Sequence, residues 1–410
     1  MKIPKQFDEI RPYEPEEMRQ AFEDLLNDRQ FNVVIKGLVP WLPKSVRNGL
    51  LRLAFKGVKT PLDFQKRFMK PVVQFVIYKC TKGCFFDDEA LTSGGGAHRS
   101  SGTRGANSAR DARYTFVSNH RDIVLDSAFL DVLLIKCGYP TTVEIGIGDN
   151  LLIYPWIKRL VRMNKAFTVR RGLPLRETLQ ASQLMSQYIH YAVTRKKENI
   201  WIAQREGRAK DSSDHTQEAV LKMLAMGMAD RVDSLAGQLR DLNIVPLTIS
   251  YEYDPCDYLK AQEMQNKRDI EGFKKSQQDD LDNMRTGILG YKGRVVYRPA
   301  APVNTWLDEL ASLPKTEYYK VLAERMDREI HRGYELFPCN YVALDELSGK
   351  RQHADHYTAA DKQRFDDYLQ GQLAKIQLAD KDEPFLRERI LTMYANPVIN
   401  KQKADGEDLP

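Results

Sequence analysis

A histidine and two aspartates lie close together just after a strand-like run that begins at Tyr114. They are His120, Asp122 and Asp126. The pKa of free imidazole lies near neutrality, so a histidine at a strand end can accept a proton from a substrate. A nearby carboxylate can fix the tautomer of the ring and stabilise its cation. The same residues could also form a polar turn with an aspartate cap. The segment therefore predicts a general base, and either aspartate can be its partner.

Three later segments carry polar or special residues after strand-like runs: Phe167, Arg170 and Arg171; Glu206, Gly207 and Arg208; and Pro246. Arginine binds the oxygens of a phosphate in a bidentate way that lysine does not match. Glycine lets the backbone approach a ligand closely. Taken singly, each segment is also compatible with a solvated strand edge or an ordinary turn. Their order along the chain makes the set informative.

In order and spacing, the four segments resemble the four blocks of the glycerolipid acyltransferase family, over about residues 113–300. The family's blocks run Asn-His-x4-Asp, Gly-x-x-Phe-Ile-x-Arg, Pro-Glu-Gly-Thr-Arg and Val-Pro-Ile/Val. Here the spacing from His120 to Asp126 is one residue longer, Asn164 replaces the glycine of the second block, and the third block has no threonine. On a helix neither spacing would place the two residues on one face, so a non-helical turn must lie between them. Such a turn can absorb the extra residue.

The resemblance implies transfer of a fatty acyl group from acyl-CoA or acyl carrier protein to a hydroxyl of glycerol-3-phosphate or 1-acylglycerol-3-phosphate, in phospholipid synthesis. It implies that His120 is the base, with Asp126 as first and Asp122 as second choice of partner. By the same resemblance the substrate-binding set comprises Phe167, Arg170, Arg171, Glu206, Gly207, Arg208 and Pro246. The arginines would bind the acceptor's phosphate, and Pro246 would shape the acyl end of the site. We expect no metal and no cofactor, since the thioester donor is already activated. Two alternatives remain: an acyltransferase for a non-phosphorylated amino-acid or ornithine-type lipid, and an inactive lipid-binding or scaffold protein.

Strand-like runs alternate with helical patterns through the middle of the chain, which is typical of an α/β domain. The strand-like runs begin at Tyr114, Thr142, Ala166, Asn199, Asn243 and Gly293. The family resemblance adds a mixed sheet flanked by helices. We predict a helical, membrane-docking region at 1–93, a flexible Gly/Ser/Arg loop at 94–112 and an acyltransferase domain at 113–303. A C-terminal helical region follows at 304–410, with a disordered tail from Lys401.

The N-terminal region interleaves cationic and apolar residues. Between Lys36 and Lys82 there are eleven Lys/Arg and one acid, Asp63, and prolines divide the segment into short helices. Helices of this kind lie in the interface of an anionic membrane, although an apolar face could instead pack on the protein. Zinc-finger spacing and other nucleic-acid motifs are absent from the sequence, which disfavours a nucleic-acid partner. We therefore expect a cytoplasmic protein bound peripherally to the inner face of the cell membrane.

The composition agrees with the prediction of a cytoplasmic protein that binds the membrane peripherally. The 410 residues are 42% hydrophobic and 29% charged, with a formal net charge of +6. No apolar run approaches the ~18 residues of a spanning helix. The N-terminus turns acidic at once and lacks the apolar segment of a secretory signal. Five cysteines without metal-site spacing suggest reduced thiols.

Overall fold

One seven-stranded sheet organises the chain, and the computed structural model describes residues 3–92 and 109–406. The strands are β1 (Cys84–Phe86), β2 (Thr115–Ser118), β3 (Val143–Gly148), β4 (Ala166–Val169), β5 (Asn199–Ala203), β6 (Ile244–Tyr251) and β7 (Val295–Pro299). All six strands predicted from the sequence are present. The additional strand β1 is only three residues long, too short to show an alternating pattern.

The strand order is β1-β7-β6-β2-β5-β3-β4. Strands β6, β2, β5, β3 and β4 are mutually parallel, whereas β7 is antiparallel to β6 and parallel to β1. The sheet is therefore mixed, as predicted. In parallel strands all carboxyl ends meet at one edge of the sheet, which is where α/β proteins bind ligands. The four blocks found in the sequence follow or contain β2, β4, β5 and β6, so this edge brings them together.

The N-terminal region is helical, as predicted. Its helices are α1 (Pro15–Asn27), α2 (Arg29–Leu38), α3 (Lys44–Phe55), α4 (Pro61–Phe64), α5 (Lys70–Cys80) and α6 (Glu89–Thr92). Pro71 does not divide helices as expected, because the π-helical turn Gln65–Met69 joins α4 to α5 without a break. Pro71 is the second residue of α5 and directly follows the π-helical turn, so it lies where the helical hydrogen bonding changes register and not within a regular α-helical run.

Helices cover both faces of the sheet. They are α7 (Leu125–Lys136), α8 (Pro155–Met163), α9 (Leu175–Tyr191), α10 (Glu218–Met226) and α11 (Leu235–Arg240). Alternate strand residues face opposite sides. Val117 and Ile202 pack with α9, α10 and α11, while Phe116 and Val245 pack with α5 and α7. The burial of both faces explains why the strands read as nearly continuous apolar runs.

After β6 the chain forms two helices, α12 (Asp257–Asp269) and α13 (Gln277–Leu289). The chain between them turns at Gly272, whose φ of 70° is left-handed. Glycine adopts this conformation without steric cost, so the interruption has a local cause.

The C-terminal region consists of α14 (Lys315–Arg332), α15 (Pro338–Ser348), α16 (Ala359–Ala374) and α17 (Glu383–Asp405). The region is helical, as expected, and α15, α16 and α17 share a buried core with Ala261 of α12 and Val296 of β7. The disordered tail expected from Lys401 does not begin there, because α17 remains helical to Asp405. Most of the predicted flexible loop 94–112, residues 94–108, lies outside the described residues. No helix in the described ranges is long and apolar enough to cross a membrane.

Candidate active site

His120 and Asp126 form a hydrogen-bonded pair just beyond the end of β2. Nδ1 of His120 lies 2.8 Å from Oδ2 of Asp126. The chain between them is not helical until Leu125, so the turn demanded by the spacing is present. The same carboxylate oxygen accepts the backbone N–H groups of Arg121 and Asp122, at 2.7 and 3.0 Å. The turn is therefore folded around Asp126, and the extra residue relative to the family's spacing is accommodated there.

Neighbouring strands fix this pair in place. Tyr251 Oη donates to Oδ1 of Asp126 at 3.2 Å, and Tyr297 Oη donates to its backbone carbonyl at 2.9 Å. The side chain of Asn119 exchanges two hydrogen bonds with the backbone of Ile249, which ties the end of β2 to β6. Asp126 is fully buried while the His120 side chain is 14% exposed. Since Nδ1 is engaged by a carboxylate, Nε2 is the ring nitrogen left to accept a proton.

Asp122, the second choice of partner for His120, has a structural role at the start of a helix. Its Oδ1 accepts the backbone N–H groups of Val124 and Leu125, both at 2.8 Å, which caps the start of α7. Its other oxygen lies against α13, where a Cβ added at Gly287 would come within 2.2 Å of it. Burial raises the pKa of Asp122, and the neighbouring Asp126 carboxylate raises it further. The geometry thus selects Asp126 as the partner of His120.

Arg208 is the buried arginine of the third block. It is 8% exposed, and its Nη2 donates to Oδ1 of Asn283 on α13 at 3.0 Å. Its Nη1 has no hydrogen-bond partner among the described residues. Asp122 is one of the charges that act on it. Gly207, just before it, has a φ of 69°, so the backbone turns sharply where the loop leaves β5. Arg208 therefore offers a free donor close to the His120 turn.

The other two arginines lie at the rim. Arg170 follows β4, three strand spacings of ~4.8 Å from β2. It is paired with Glu9, and its side chain is 43% exposed. Arg171 donates to Glu206 at 3.0 Å, which links the second block to the third. The structure thus brings Arg208 close to the His120 turn and leaves Arg170 farther out.

Two residues of the predicted substrate-binding set lie inside the sheet. Phe167 is fully buried and packs its ring against Tyr188, with ring centroids 5.6 Å apart. Pro246 is buried within β6, paired in register with Val117. Neither side chain reaches the strand ends, because strand residues within the sheet face its packed layers. The structure thus places Phe167 and Pro246 in the core of the sheet, and their role in substrate binding stays a prediction.

The loop between β5 and α10 carries Arg208 and is held by C-terminal helices. Asp327 on α14 accepts the backbone N–H and the hydroxyl of Thr216, at 2.7 and 2.6 Å. His331, also on α14, bonds the carbonyl of Asp214 at 3.1 Å. Asn396 on α17 donates to the carbonyl of Asp211 at 2.7 Å. The C-terminal region therefore serves to position the third block.

Sequence reasoning did not assign roles to several residues around the pair. Trp201 lies with its ring 5.7 Å from that of His120, and Asn283 holds Arg208. Arg121 and Asp214 are buried charges beside the same turn. Arg121 directly follows His120, so its place in the sequence could have identified it as a residue of the site. Asp214 and Asn283 reach the site only through tertiary folding and gave no local signal.

Residues 102–250 match the family model described as Acyltransferase, a range that includes all four blocks. Comparison with curated protein sequences found no match. Among solved structures, the chain is similar to the 1-acyl-sn-glycerophosphate (LPA) acyltransferase PlsC from Thermotoga maritima. The identity is 10% and the TM-score 0.37, covering 76% of this chain and 96% of that one.

The family match confirms the resemblance drawn from the four blocks. The match is to an acyltransferase domain, and it spans less than half of the chain.

Proposed function

We propose that the protein transfers a fatty acyl group from acyl-CoA or acyl carrier protein to a hydroxyl of glycerol-3-phosphate or 1-acylglycerol-3-phosphate. The observation that carries this proposal is the 2.8 Å pair of His120 and Asp126 at the carboxyl edge of the sheet. Phospholipid synthesis is the process that such a product would serve. Acyl-CoA or acyl carrier protein is the co-substrate, and the residues described require no further group for the chemistry.

The chemistry follows from the orientation of the imidazole. Nε2 of His120 takes the proton of the acceptor hydroxyl as its oxygen attacks the thioester carbonyl. The new C–O bond forms, the C–S bond breaks, and the proton passes from His120 to the departing thiolate. Asp126 stabilises the imidazolium while it lasts, and the two backbone N–H groups that Asp126 accepts keep its carboxylate in place. A covalent acyl-enzyme is unnecessary because the thioester is already activated.

Arg208 is the proposed ligand for the acceptor's phosphate. Its free Nη1 and its burial favour a strong, charge-assisted hydrogen bond to a phosphate oxygen. Arg170 and Arg171 lie farther out, where a long acceptor or the donor's phosphates could meet them. The pairs they make with Glu9 and Glu206 are solvent-accessible and therefore weak.

Membrane docking through the N-terminal helices is the second part of the proposal. One face of these helices packs Phe22, Phe55 and Phe64 into a core with α8. A second apolar set stays exposed: Val33, Val34, Trp41, Val46, Leu50, Leu53, Val72, Phe75 and Tyr78. Exposed lysines and arginines lie among them, including Lys36, Lys44 and Lys79. Apolar groups that remain exposed among cations suit an anionic bilayer surface, and the inner face of the cell membrane is the one proposed.

An acyl-transfer assay tests the proposal directly. Purified protein is incubated with labelled acyl-CoA or acyl-loaded carrier protein and with glycerol-3-phosphate, 1-acylglycerol-3-phosphate or a lyso-aminolipid. We expect transfer to the phosphorylated acceptors. Transfer only to the aminolipid would replace the proposed acceptor, and transfer to none of them would favour the scaffold alternative.

A further inference from the structure

Several buried polar atoms beside His120 have no hydrogen-bond partner among the described residues. They are Nε of Arg121, Oδ2 of Asp214 and both polar atoms of the Gln204 amide. Arg121 is 6% exposed, and Asp214 and Gln204 are fully buried. Leaving such a group unpaired costs about 1–3 kcal/mol. Native structures rarely leave several together unless water or a ligand satisfies them.

The three side chains lie around the turn that carries His120. Gln204 follows β5, and its backbone N–H donates to the carbonyl of Ser118 at 2.8 Å, one residue before Asn119. The carboxylate of Asp214 interacts electrostatically with Arg121, Lys260, His120 and Arg205. Arg121 and Asp214 thus lie near each other and near the imidazole, and each keeps one buried polar atom without a partner among the described residues.

Asp214 is held rigidly, so its free oxygen has a defined direction. Its Oδ1 accepts the backbone N–H of Ala209 at 3.2 Å, and its carbonyl bonds His331 at 3.1 Å. Burial raises the pKa of Asp214, because the charged form has lost its water. A hydroxyl that donates to Oδ2 would replace part of that lost hydration.

Arg121 is also fixed in a charged environment. The nearby carboxylate of Asp254 is itself paired with Lys260 at 2.6 Å. Burial raises the pKa of Asp254, but the charges of Lys260 and Arg121 outweigh it and hold that pKa at about 2. Nε of Arg121 nevertheless has no hydrogen-bond partner among the described residues, so the guanidinium keeps a donor for an additional anionic oxygen.

We propose, on the basis of the function proposed above, that Arg121 and Asp214 bind the head group of the acceptor. Arg121 takes an anionic oxygen of the phosphate together with Arg208. Oδ2 of Asp214 accepts a hydrogen bond from the hydroxyl that is not acylated. The Gln204 amide supplies a further donor and acceptor beside Arg121 and Asp214. This arrangement suits a phosphorylated polyol with two hydroxyls, and so favours glycerol-3-phosphate over 1-acylglycerol-3-phosphate.

Calorimetric binding to the full-length protein, without acyl donor, tests the proposal. The probes are glycerol-3-phosphate, 3-hydroxypropyl phosphate, which lacks one hydroxyl, and inorganic phosphate. The wild type should prefer glycerol-3-phosphate to 3-hydroxypropyl phosphate by about tenfold, the effect of one hydrogen bond to a charged group. Asp214→Asn should lose that preference. Arg121→Gln should weaken both organic ligands by about tenfold or more. Asp230→Asn and Arg176→Gln, two exposed positions, are the matched controls.

Equal affinity of the wild type for the two organic probes would overturn the proposal even if a variant failed to fold. Inorganic phosphate bound as tightly as glycerol-3-phosphate would overturn it too, since the site would then be a simple anion site. Unchanged binding by a folded Arg121→Gln variant would remove that residue from the site. The transfer assay separates the two proposals. Selective binding without transfer contradicts only the proposed activity, and transfer without selectivity contradicts only this inference.

Discussion

His120 Nδ1 and Asp126 Oδ2 lie 2.8 Å apart, although six positions of sequence separate the two residues. The intervening chain makes this possible by donating two backbone N–H groups to the same carboxylate oxygen. The carboxylate therefore organises the turn that presents the imidazole, as well as orienting the ring. The position and the ring orientation of the proposed base thus depend on one buried side chain.

Replacement of His120 by alanine should lower kcat/KM by about 10²–10⁴-fold, the usual contribution of a positioned general base. The fold should be retained, because the ring makes one hydrogen bond and lies at the surface of the turn. Activity and thermal unfolding are measured on the same preparation. His356→Ala, an exposed histidine of the C-terminal region, is the control. Normal turnover by His120→Ala would rule out the proposed mechanism.

Asp126 and Asp122 should respond differently to substitution by asparagine. Asp126→Asn removes the charge that stabilises the imidazolium and should lower kcat by about a hundredfold or more. Asp122→Asn keeps an oxygen that can cap α7 and should leave kcat within a few-fold of wild type. Thermal unfolding of both variants separates loss of catalysis from simple damage to the fold. A larger loss of kcat in Asp122→Asn would reverse the assignment.

Arg208 should matter more than Arg170 for the phosphorylated acceptor. Arg208→Lys keeps a charge but loses bidentate geometry, so the KM for the acceptor should rise by about tenfold. The KM for the acyl donor should change little. Arg170→Ala should have a smaller effect on the acceptor, since that side chain is at the rim and paired with Glu9. Equal effects of both variants would mean that the acceptor extends across three strands.

The strands were predictable from the sequence because both faces of the sheet are buried. Buried strands such as β6 read as apolar runs bounded by turns, and periodicity finds them. Continuity of α4 and α5 was missed because proline usually ends a helix, and a π-helical turn is not visible in sequence.

The site was predictable to the extent that its residues lie in contiguous blocks. His120, Asp126 and Arg208 follow or flank strand ends, and strand ends meet at one edge in a parallel sheet. Asp214 and Asn283 could not be identified, since only long-range packing brings them near β2. The burial of Phe167 could not be predicted, because a sequence block does not reveal which residues of a strand face the core.

Exposed apolar residues of the N-terminal helices should mediate membrane binding. Trp41 is 74% and Phe75 61% exposed, so substitution by glutamate should leave the core of this region intact. Trp41→Glu and Phe75→Glu should each reduce flotation with vesicles that contain anionic lipid, and the double variant should reduce it further. Binding should also weaken at high salt, where lysine and arginine are screened. Ile270→Glu, an exposed apolar position on another segment, is the control. Unchanged flotation of the double variant would remove membrane docking from these helices.

His215 and Asp327 should make the attachment of the third-block loop depend on pH. Nδ1 of His215 lies 3.2 Å from Oδ2 of Asp327, and this hydrogen bond raises the pKa of His215. Asp214 and Asp211 add to the rise, and His331 faces the same ring at 5.6 Å. Because the folded pKa is above the ordinary value of ~6.5, the stabilisation is complete below that pH and is lost as pH rises through the folded pKa.

The difference in stability between the wild type and His215→Gln should therefore change with pH in one defined direction. The difference in unfolding midpoint should be largest near about pH 5 and should vanish near about pH 9, where His215 is neutral in both folded and unfolded chains. Thermal unfolding across this range measures the difference. Asp327→Asn should abolish the same pH dependence, and it should also loosen Thr216, whose N–H and hydroxyl Asp327 accepts. A difference that grows toward alkaline pH would contradict the assignment of the His215–Asp327 pair as an attachment that needs a protonated imidazole.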